Sequence, residues 1–326
     1  MASLYLPASA LILGIIGLIW GADKFVAGSA SFARSMGISS LVIGLTIVSV
    51  GTSAPEIIIS INAALNSSSE LAIGNALGSN LANIGLVLGI TLLIAPIPVY
   101  RHLLKEESPV LLLITGLAGI CLYNGVLGQL ESLLLVLLVA PLLIVVVKYK
   151  KSHPDSVEPQ NIVAYSASSA TVQFILGLAV LLAGAEITVW GAKSIATFIG
   201  ISELVIGLTV VAIGTSLPEL AASVLSAVRG HHDIALGNII GSNLFNIMLV
   251  MGAAGAIAPI SLDDAVFARD YIAMASMTLL MVLLLARALR GNRNKATLSK
   301  TVGLILLSAY CLYYCVLWLS IGTGAS

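Results

Sequence analysis

The chain has 326 residues, of which 59% are hydrophobic and 9% charged, and its 15 basic and 15 acidic residues leave no net charge. Soluble domains carry roughly 25% charged residues. At a mean hydropathy of +1.08 this chain has too little polar surface for water, so its expected partner is the lipid bilayer, and no nucleic-acid partner is expected.

A helix crosses the hydrocarbon core in about 20 apolar residues. Runs of that kind fall at 4–22, 38–65, 71–95, 108–124 and 131–148. A polar linker over 149–167 follows, then further runs at 168–190, 203–228, 234–257, 270–287 and 301–320. Lipid offers backbone groups no partner, so only helices and closed barrels span it. The alternating segments of about 10 residues that mark a barrel are absent from the sequence. The expected fold is an all-α integral membrane protein with ten transmembrane helices. No Lys or Arg precedes Lys24, which is unlike the basic start of a cleaved signal peptide. Cys121, Cys311 and Cys315 fall inside spans and read as small buried hydrophobes.

If the loops alternate sides, one face collects Lys24, Arg34, Arg101, Lys105, Lys148, Lys150, Lys151, Arg229, Arg287, Arg290, Arg293, Lys295 and Lys300. The other face has only Lys193 and Arg269. Cytoplasmic loops carry the basic excess. Both termini are therefore expected outside the cytoplasm, in the cell membrane, or in the inner membrane if the source is Gram-negative.

A shift of 163 residues aligns "GISSLVIGLTIVSVGTSAPE" (37–56) with "GISELVIGLTVVAIGTSLPE" (200–219), identical at 15 of 20 positions. The same shift aligns "GNALGSNLANI" (74–84) with "GNIIGSNLFNI" (237–247). The chain is thus two repeats, 1–148 and 168–326, joined by a cytoplasmic linker at 149–167. Five spans is an odd number, so the second repeat enters from the opposite side: two inverted five-helix repeats. Such repeats are typical of secondary transporters, where Gly/Pro-interrupted helices in matching positions point to a site near the midplane.

Those interrupted helices are 38–65 and 203–228. Proline gives no N–H and clashes with the carbonyl four residues back, so Pro55 and Pro218 should open the helix just before Glu56 and Glu219. These two are the only acidic residues deep within a span. A central charge costs roughly 2.5–3.5 kcal/mol to insert and by default marks function. Thr52, Glu56 and Ser60 share a helix face with Ser53 beside them, and Thr215, Glu219, Ser223 and Ser216 repeat it. The next helices add Asn75, Ser79 and Asn83, mirrored by Asn238, Ser242 and Asn246. Asn75 and Asn238 read equally well as ligands or as interhelical glue. An oxygen-only donor set suits a hard cation such as Ca²⁺. Two carboxylates balance one Ca²⁺ or two protons, and are overcompensated by three Na⁺, which is the arithmetic of an exchange site.

These paired motifs resemble the α-repeats of the cation/calcium antiporter superfamily, which includes the sodium/calcium exchangers, and the short prokaryotic members in particular. The resemblance covers nearly the whole chain. It implies that Glu56 and Glu219 are the shared cation ligands, with Ser53, Ser216, Thr52 and Thr215 contributing hydroxyl or carbonyl oxygens. It further implies Ser79 and Ser242 at Na⁺ sites, the carbonyls of Ser49 and Ala212 as backbone ligands, and Asn83 and Asn246 as a third polar position. Some members carry aspartate there in one repeat, whereas here both are Asn, which leaves Na⁺ and H⁺ open as the counter-ion. The implied mechanism is alternating access, with the first helix of each half moving against the interrupted helices. No cofactor beyond the transported ions Ca²⁺ and Na⁺ (or H⁺) is implied, and a monomer is compatible with everything in the sequence. A cation channel at the same site is the rival transport class. An enzyme with Ser53 or Ser216 as nucleophile is disfavoured, because a serine nucleophile needs a base in reach and no Lys or His lies deep in a span. The loop at His231, His232 and Asp233 reads as solvated, and Asp23 and Glu186 read as helix-end anchors.

Overall fold

The structure, a computed structural model, describes residues 2–66, 69–152, 166–201, 210, 212–263, 266–290 and 294–322. Most of the central linker, and residues 203–209 and 211 of the predicted span 203–228, lie outside the described residues. In chain order, α1 (Ala2–Met36) is followed by α2 (Ser40–Ile43), a π-turn Gly44–Val48, α3 (Ser49–Thr52) and α4 (Ala54–Leu65). Then come α5 (Ser69–Ala82), a π-turn Asn83–Leu88, α6 (Gly89–Ile94) and β1 (Ile97–Tyr100). A π-turn Leu103–Glu107 leads into α7 (Ser108–Leu122), followed by β2 (Val126–Leu127) and α8 (Gln129–Ser152). The second half runs α9 (Ala167–Phe198), α10 (Ala212–Thr215), α11 (Leu217–Val228) and α12 (His232–Phe245), with a π-turn Asn246–Met251 before α13 (Gly252–Ile257). It ends with β3 (Ile260–Ser261), a π-turn Val266–Tyr271, α14 (Ile272–Ala288), β4 (Lys295–Leu298) and α15 (Lys300–Gly322). Among the described residues seven helices are long and apolar enough to cross a membrane, and an eighth if the broken helix over Ser40–Leu65 counts as one.

The first helix of each half ends on the same device. Gly37 (φ 62°) and Gly200 (φ 83°) adopt the left-handed conformation open to glycine. Gly37 N–H bonds Arg34 O and Ile38 N–H bonds Ala33 O, while Gly200 and Ile201 repeat this on Thr197 and Ala196. The breaks in the interrupted helices also match: Ser53 (φ −82°, ψ 6°) separates α3 from α4, and Ser216 (φ −89°, ψ 5°) separates α10 from α11.

Two compact units cut across the sequence halves. The first holds Met1–Pro55 and Val146–Asn238. Its backbone is a close antiparallel pair, α1 against α9, in which Gly14 faces Gly184, Gly21 faces Leu181 and Gly28 faces Phe174. From the other side Gly177 meets Phe25, Gly184 meets Leu18 and Gly191 meets Leu11. Gly14, Gly21 and Gly28 become Gly177, Gly184 and Gly191 under the 163-residue shift, so the seam is built from the repeat itself. Small residues let helix backbones approach where lipid provides no hydrophobic drive. Beside the seam lies a core of Leu18, Phe25, Ile43, Val48, Leu181 and Ile234. A Cβ on Gly237 would stand 2.7 Å from Leu41 O and 2.8 Å from Leu45 N, so α12 begins pressed against α2 and its π-turn. Asp23 and Glu186, expected at helix ends, lie inside α1 and α9, because both helices run past the apolar stretch that marked them: Asp23 is ion-paired with Arg229 at the end of α11, and Glu186 is exposed.

The second unit holds Glu56–Val145 and Ile239–Ser326. Two short antiparallel strand pairs clasp its loops: Ile97 with Leu298 through Tyr100 with Lys295, and Val126 with Ser261 beside Leu127 with Ile260. The apolar window of His232–Ile257 is 94% buried inside the chain, against 11% for Gln129–Val146 and 17% for Lys300–Leu319. The last two therefore turn bare apolar surface outward, as a lipid-facing helix does. Cys311 and Cys315, expected to be buried, are exposed on that outward surface of α15, and Cys121 is buried.

Candidate functional site

In the first unit Ser53 stands at the break between α3 and α4, fully buried, and its hydroxyl donates to Glu219 Oε1 at 3.0 Å. Glu219 is 1% exposed, and its Oε2 has no hydrogen-bond partner among the described residues. Thr52 Oγ1 lies 3.0 Å from Asn238 Oδ1 and 3.3 Å from Ser49 O, both acceptors, so its single proton is shared. Asn238 Nδ2 donates to Ser223 Oγ at 3.0 Å and reaches the Glu219 carbonyl at 3.5 Å. Ser216 Oγ is buried with no partner among the described residues. The Ser49 carbonyl also accepts the Ser53 N–H at 2.9 Å. Thr215 is half-buried, and Ala212 opens α10, its side chain outside the described residues.

In the second unit Glu56 is 1% exposed. Asn75 Nδ2 donates to the Glu56 carbonyl at 3.2 Å and to Ser60 Oγ at 3.0 Å. Asn75 and Asn238 thus do the same work in the two repeats, tying the following helix to the backbone beside a glutamate. The amide nitrogens serve as interhelical glue, while the amide oxygens are the atoms a cation would use. Ser79 and Ser242 are buried, and Asn83 and Asn246 each begin a π-turn. Turns of this type occur often at functional sites. Ser242 Oγ and both amide atoms of Asn83 and Asn246 have no hydrogen-bond partner among the described residues.

A buried polar group left unsatisfied costs about 1–3 kcal/mol. Several at matched positions in both repeats is a large standing cost unless something else meets them. The oxygens of Glu219, Ser216, Ser242, Asn83 and Asn246 are hard donors of the kind that coordinate Ca²⁺ or Na⁺. The amide nitrogens are donors and need an acceptor, such as a water molecule.

Two buried residues escaped the sequence reading. Asn80 and Asn243 follow Ser79 and Ser242 in the repeated "GSN" and are at most 1% exposed. Asn243 Nδ2 donates to Ile239 O at 2.7 Å, while Asn80 has neither amide atom paired among the described residues. Their presence in both copies was the available signal. The stretch His231–Asp233, expected to be solvated, is not: Asp233 is buried in the first turn of α12, and His231 is half-buried, its pKa lowered by burial, by His232 and by Arg229.

The family model described as sodium/calcium exchanger protein matches residues 6–148 and 169–319. A putative antiporter, CaxA, of Alkalimonas amylolytica is 42% identical over 95% of this chain and 98% of its own length. Inner membrane protein YrbG of Escherichia coli K12 is 36% identical over 97% of this chain and 98% of its own. The solved structure of the sodium-calcium exchanger NCX_Mj, soaked with zero Na⁺ and Ca²⁺, superposes with a TM-score of 0.83 at 34% identity, covering 95% of this chain and 98% of that one.

Proposed function

The chain belongs to the sodium/calcium exchanger family, and on that premise we propose that it is a secondary active antiporter exchanging Ca²⁺ for Na⁺ by alternating access. The observation that carries the proposal is Glu219: a fully buried carboxylate in a membrane protein, with one oxygen held by Ser53 and the other unpartnered among the described residues. Glu56 is its counterpart in the other repeat. We assign both as ligands of the transported cation, joined by Ser53, Ser216, Thr52, Thr215, Ser79, Ser242, Asn83 and Asn246 and by the carbonyls of Ser49 and Ala212. Two carboxylates balance one Ca²⁺. On this reading the chain is a transporter and not an enzyme, working as a monomer of ten transmembrane helices in two inverted repeats, 1–148 and 168–326.

The strand pairs support that topology. β1 and β4 join two loops that alternation assigns to the cytoplasm, and β2 and β3 join two that it assigns outside. The same alternation puts both termini outside the cytoplasm in the cell membrane, which would be the inner membrane of a Gram-negative source.

A second reading, Ca²⁺ against H⁺, is favoured by one feature. Asn83 and Asn246 are both amides, so two carboxylates stand alone and two protons suffice to neutralise them. Uptake of ⁴⁵Ca²⁺ into proteoliposomes separates the readings. An outward Na⁺ gradient should drive uptake, with a net current if three Na⁺ exchange for one Ca²⁺. Glu56→Gln and Glu219→Gln should abolish it in protein that still elutes as a single folded species. Uptake with a pH gradient alone establishes the proton reading instead. Currents at channel rates, or no Ca²⁺ movement under either gradient, overturn the exchanger assignment.

A further inference from the structure

Along the outward face of the second unit a groove of about 450 Å³ runs between α14, with its leading π-turn, and α15. Small residues hollow it, Ala273 and Ser276 on one wall and Ala309 on the other, with Leu81 among its lining. Its rims are bulky and bare: Ile272 is 46% exposed, Leu312 65% and Val316 46%. In a membrane protein such rims face hydrocarbon, so the groove opens to lipid.

One end of the groove is polar and already assembled. Arg269 lines it and clamps Asp270 through two bonds, Nε to Oδ1 at 2.7 Å and Nη2 to Oδ2 at 3.0 Å. Tyr313 of the opposite wall donates its hydroxyl to Asp270 Oδ1 at 3.0 Å, so the pair is pinned from both sides. The Arg269 and Asp270 side chains remain 23% and 16% exposed. Aromatic rings gather at this end, Phe267 lying 5.8 Å from Tyr123 and 5.1 Å from Tyr271. Aromatic belts of this kind mark the headgroup level of a bilayer.

Length and charge then select the occupant. From Arg269 to Leu280 the wall rises roughly 16 Å at 1.5 Å per residue, close to half of a hydrocarbon core of about 30 Å. The groove is therefore as long as one leaflet is deep, which suits an acyl chain and falls short of a spanning helix. A paired guanidinium and carboxylate offers no net charge but two poles, matching a headgroup that carries both a phosphate and an amine. We propose that this groove binds one phospholipid with an amine-bearing zwitterionic headgroup, its phosphate on Arg269, its amine on Asp270 and one acyl chain between α14 and α15.

The test is native mass spectrometry of the full-length protein in detergent supplied with equal phosphatidylethanolamine and phosphatidylglycerol. One phosphatidylethanolamine should survive activation that strips other lipid, with a preference of roughly tenfold over phosphatidylglycerol, one charged hydrogen bond's worth. Asp270→Asn leaves Arg269 cationic and should turn the preference toward phosphatidylglycerol. Ala273→Trp fills the groove without touching the pair and should remove the retained lipid. Equal retention of the two lipids by the natural protein overturns the headgroup assignment. Retention untouched by Ala273→Trp, or a dimer held through this face, overturns the groove as a lipid site.

Discussion

Gly21→Ala is the sharpest test of how the first unit is held together. A Cβ at Gly21 would stand 2.7 Å from Leu181 Cα and 2.9 Å from the Val180 carbonyl carbon, both backbone atoms that no rotamer change can move. Carbon atoms rest about 3.5–4.0 Å apart, and a gap opened by 0.5–1 Å forfeits a quarter to a half of the attraction between the surfaces it separates. Relieving the clash therefore parts α1 from α9 by close to 1 Å and weakens the whole seam. Overpacking of this kind costs about 1–3 kcal/mol and occasionally more, offset in part by up to about 1 kcal/mol of helix propensity gained over glycine. Gly17, one turn away, is the internal control. Its nearest neighbour is Gly184 Cα at 3.4 Å and the next is at 3.9 Å, so Gly17→Ala should be neutral or slightly stabilising. The propensity gain is common to both, so the two variants should differ by the overpacking term of about 1–3 kcal/mol, or about 2–8 °C in midpoint, in thermal unfolding of the detergent-solubilised protein. Midpoints within 1 °C of each other, or in the reverse order, would refute the idea that backbone contact at these glycines holds the pair.

Two further outcomes follow from the polar contacts. Asn238→Ala removes bonds to Ser223 and Thr52, each worth about 1 kcal/mol, so it should cost about 2 kcal/mol in unfolding free energy, and Ser223→Ala about half of that. The double variant should then show a coupling near 1 kcal/mol in a double-mutant cycle, and additive effects would show that the two side chains do not meet. His231 holds its pKa below the ordinary 6.5 in the folded chain. The unfolded chain therefore binds the proton more readily, and stability present above pH 6.5 is lost as pH falls toward the folded pKa. Thermal midpoints measured from pH 7.5 down to 5 should fall less steeply in His231→Gln than in the natural protein, and identical slopes would show that His231 does not contribute.

Much of this protein was legible along the chain because the physics involved is local. Hydropathy alone places it in a bilayer, since no arrangement of 9% charged residues can cover a soluble surface. The 163-residue repeat and the breaks before Glu56 and Glu219 could be read directly, because a proline lacks its N–H whatever surrounds it. What a given side chain touches could not be read, because that depends on which helix lies opposite. That the amide nitrogens of Asn75 and Asn238 bind the carbonyls and serines of the preceding helix is one such contact. Asn83 and Asn246 look no different in sequence, yet their amides are buried without partners among the described residues. The glycines at 14, 21 and 28 and their copies at 177, 184 and 191 became a seam only once α1 and α9 were seen to run antiparallel. Asp270 likewise gained its place from Tyr313, 43 residues further on. Sequence by itself determined the solvent, the repeat and where the helices break. Tertiary structure alone decided which polar groups are spent on one another and which stay available to an ion, because hydrogen-bond satisfaction is settled between elements, not along them.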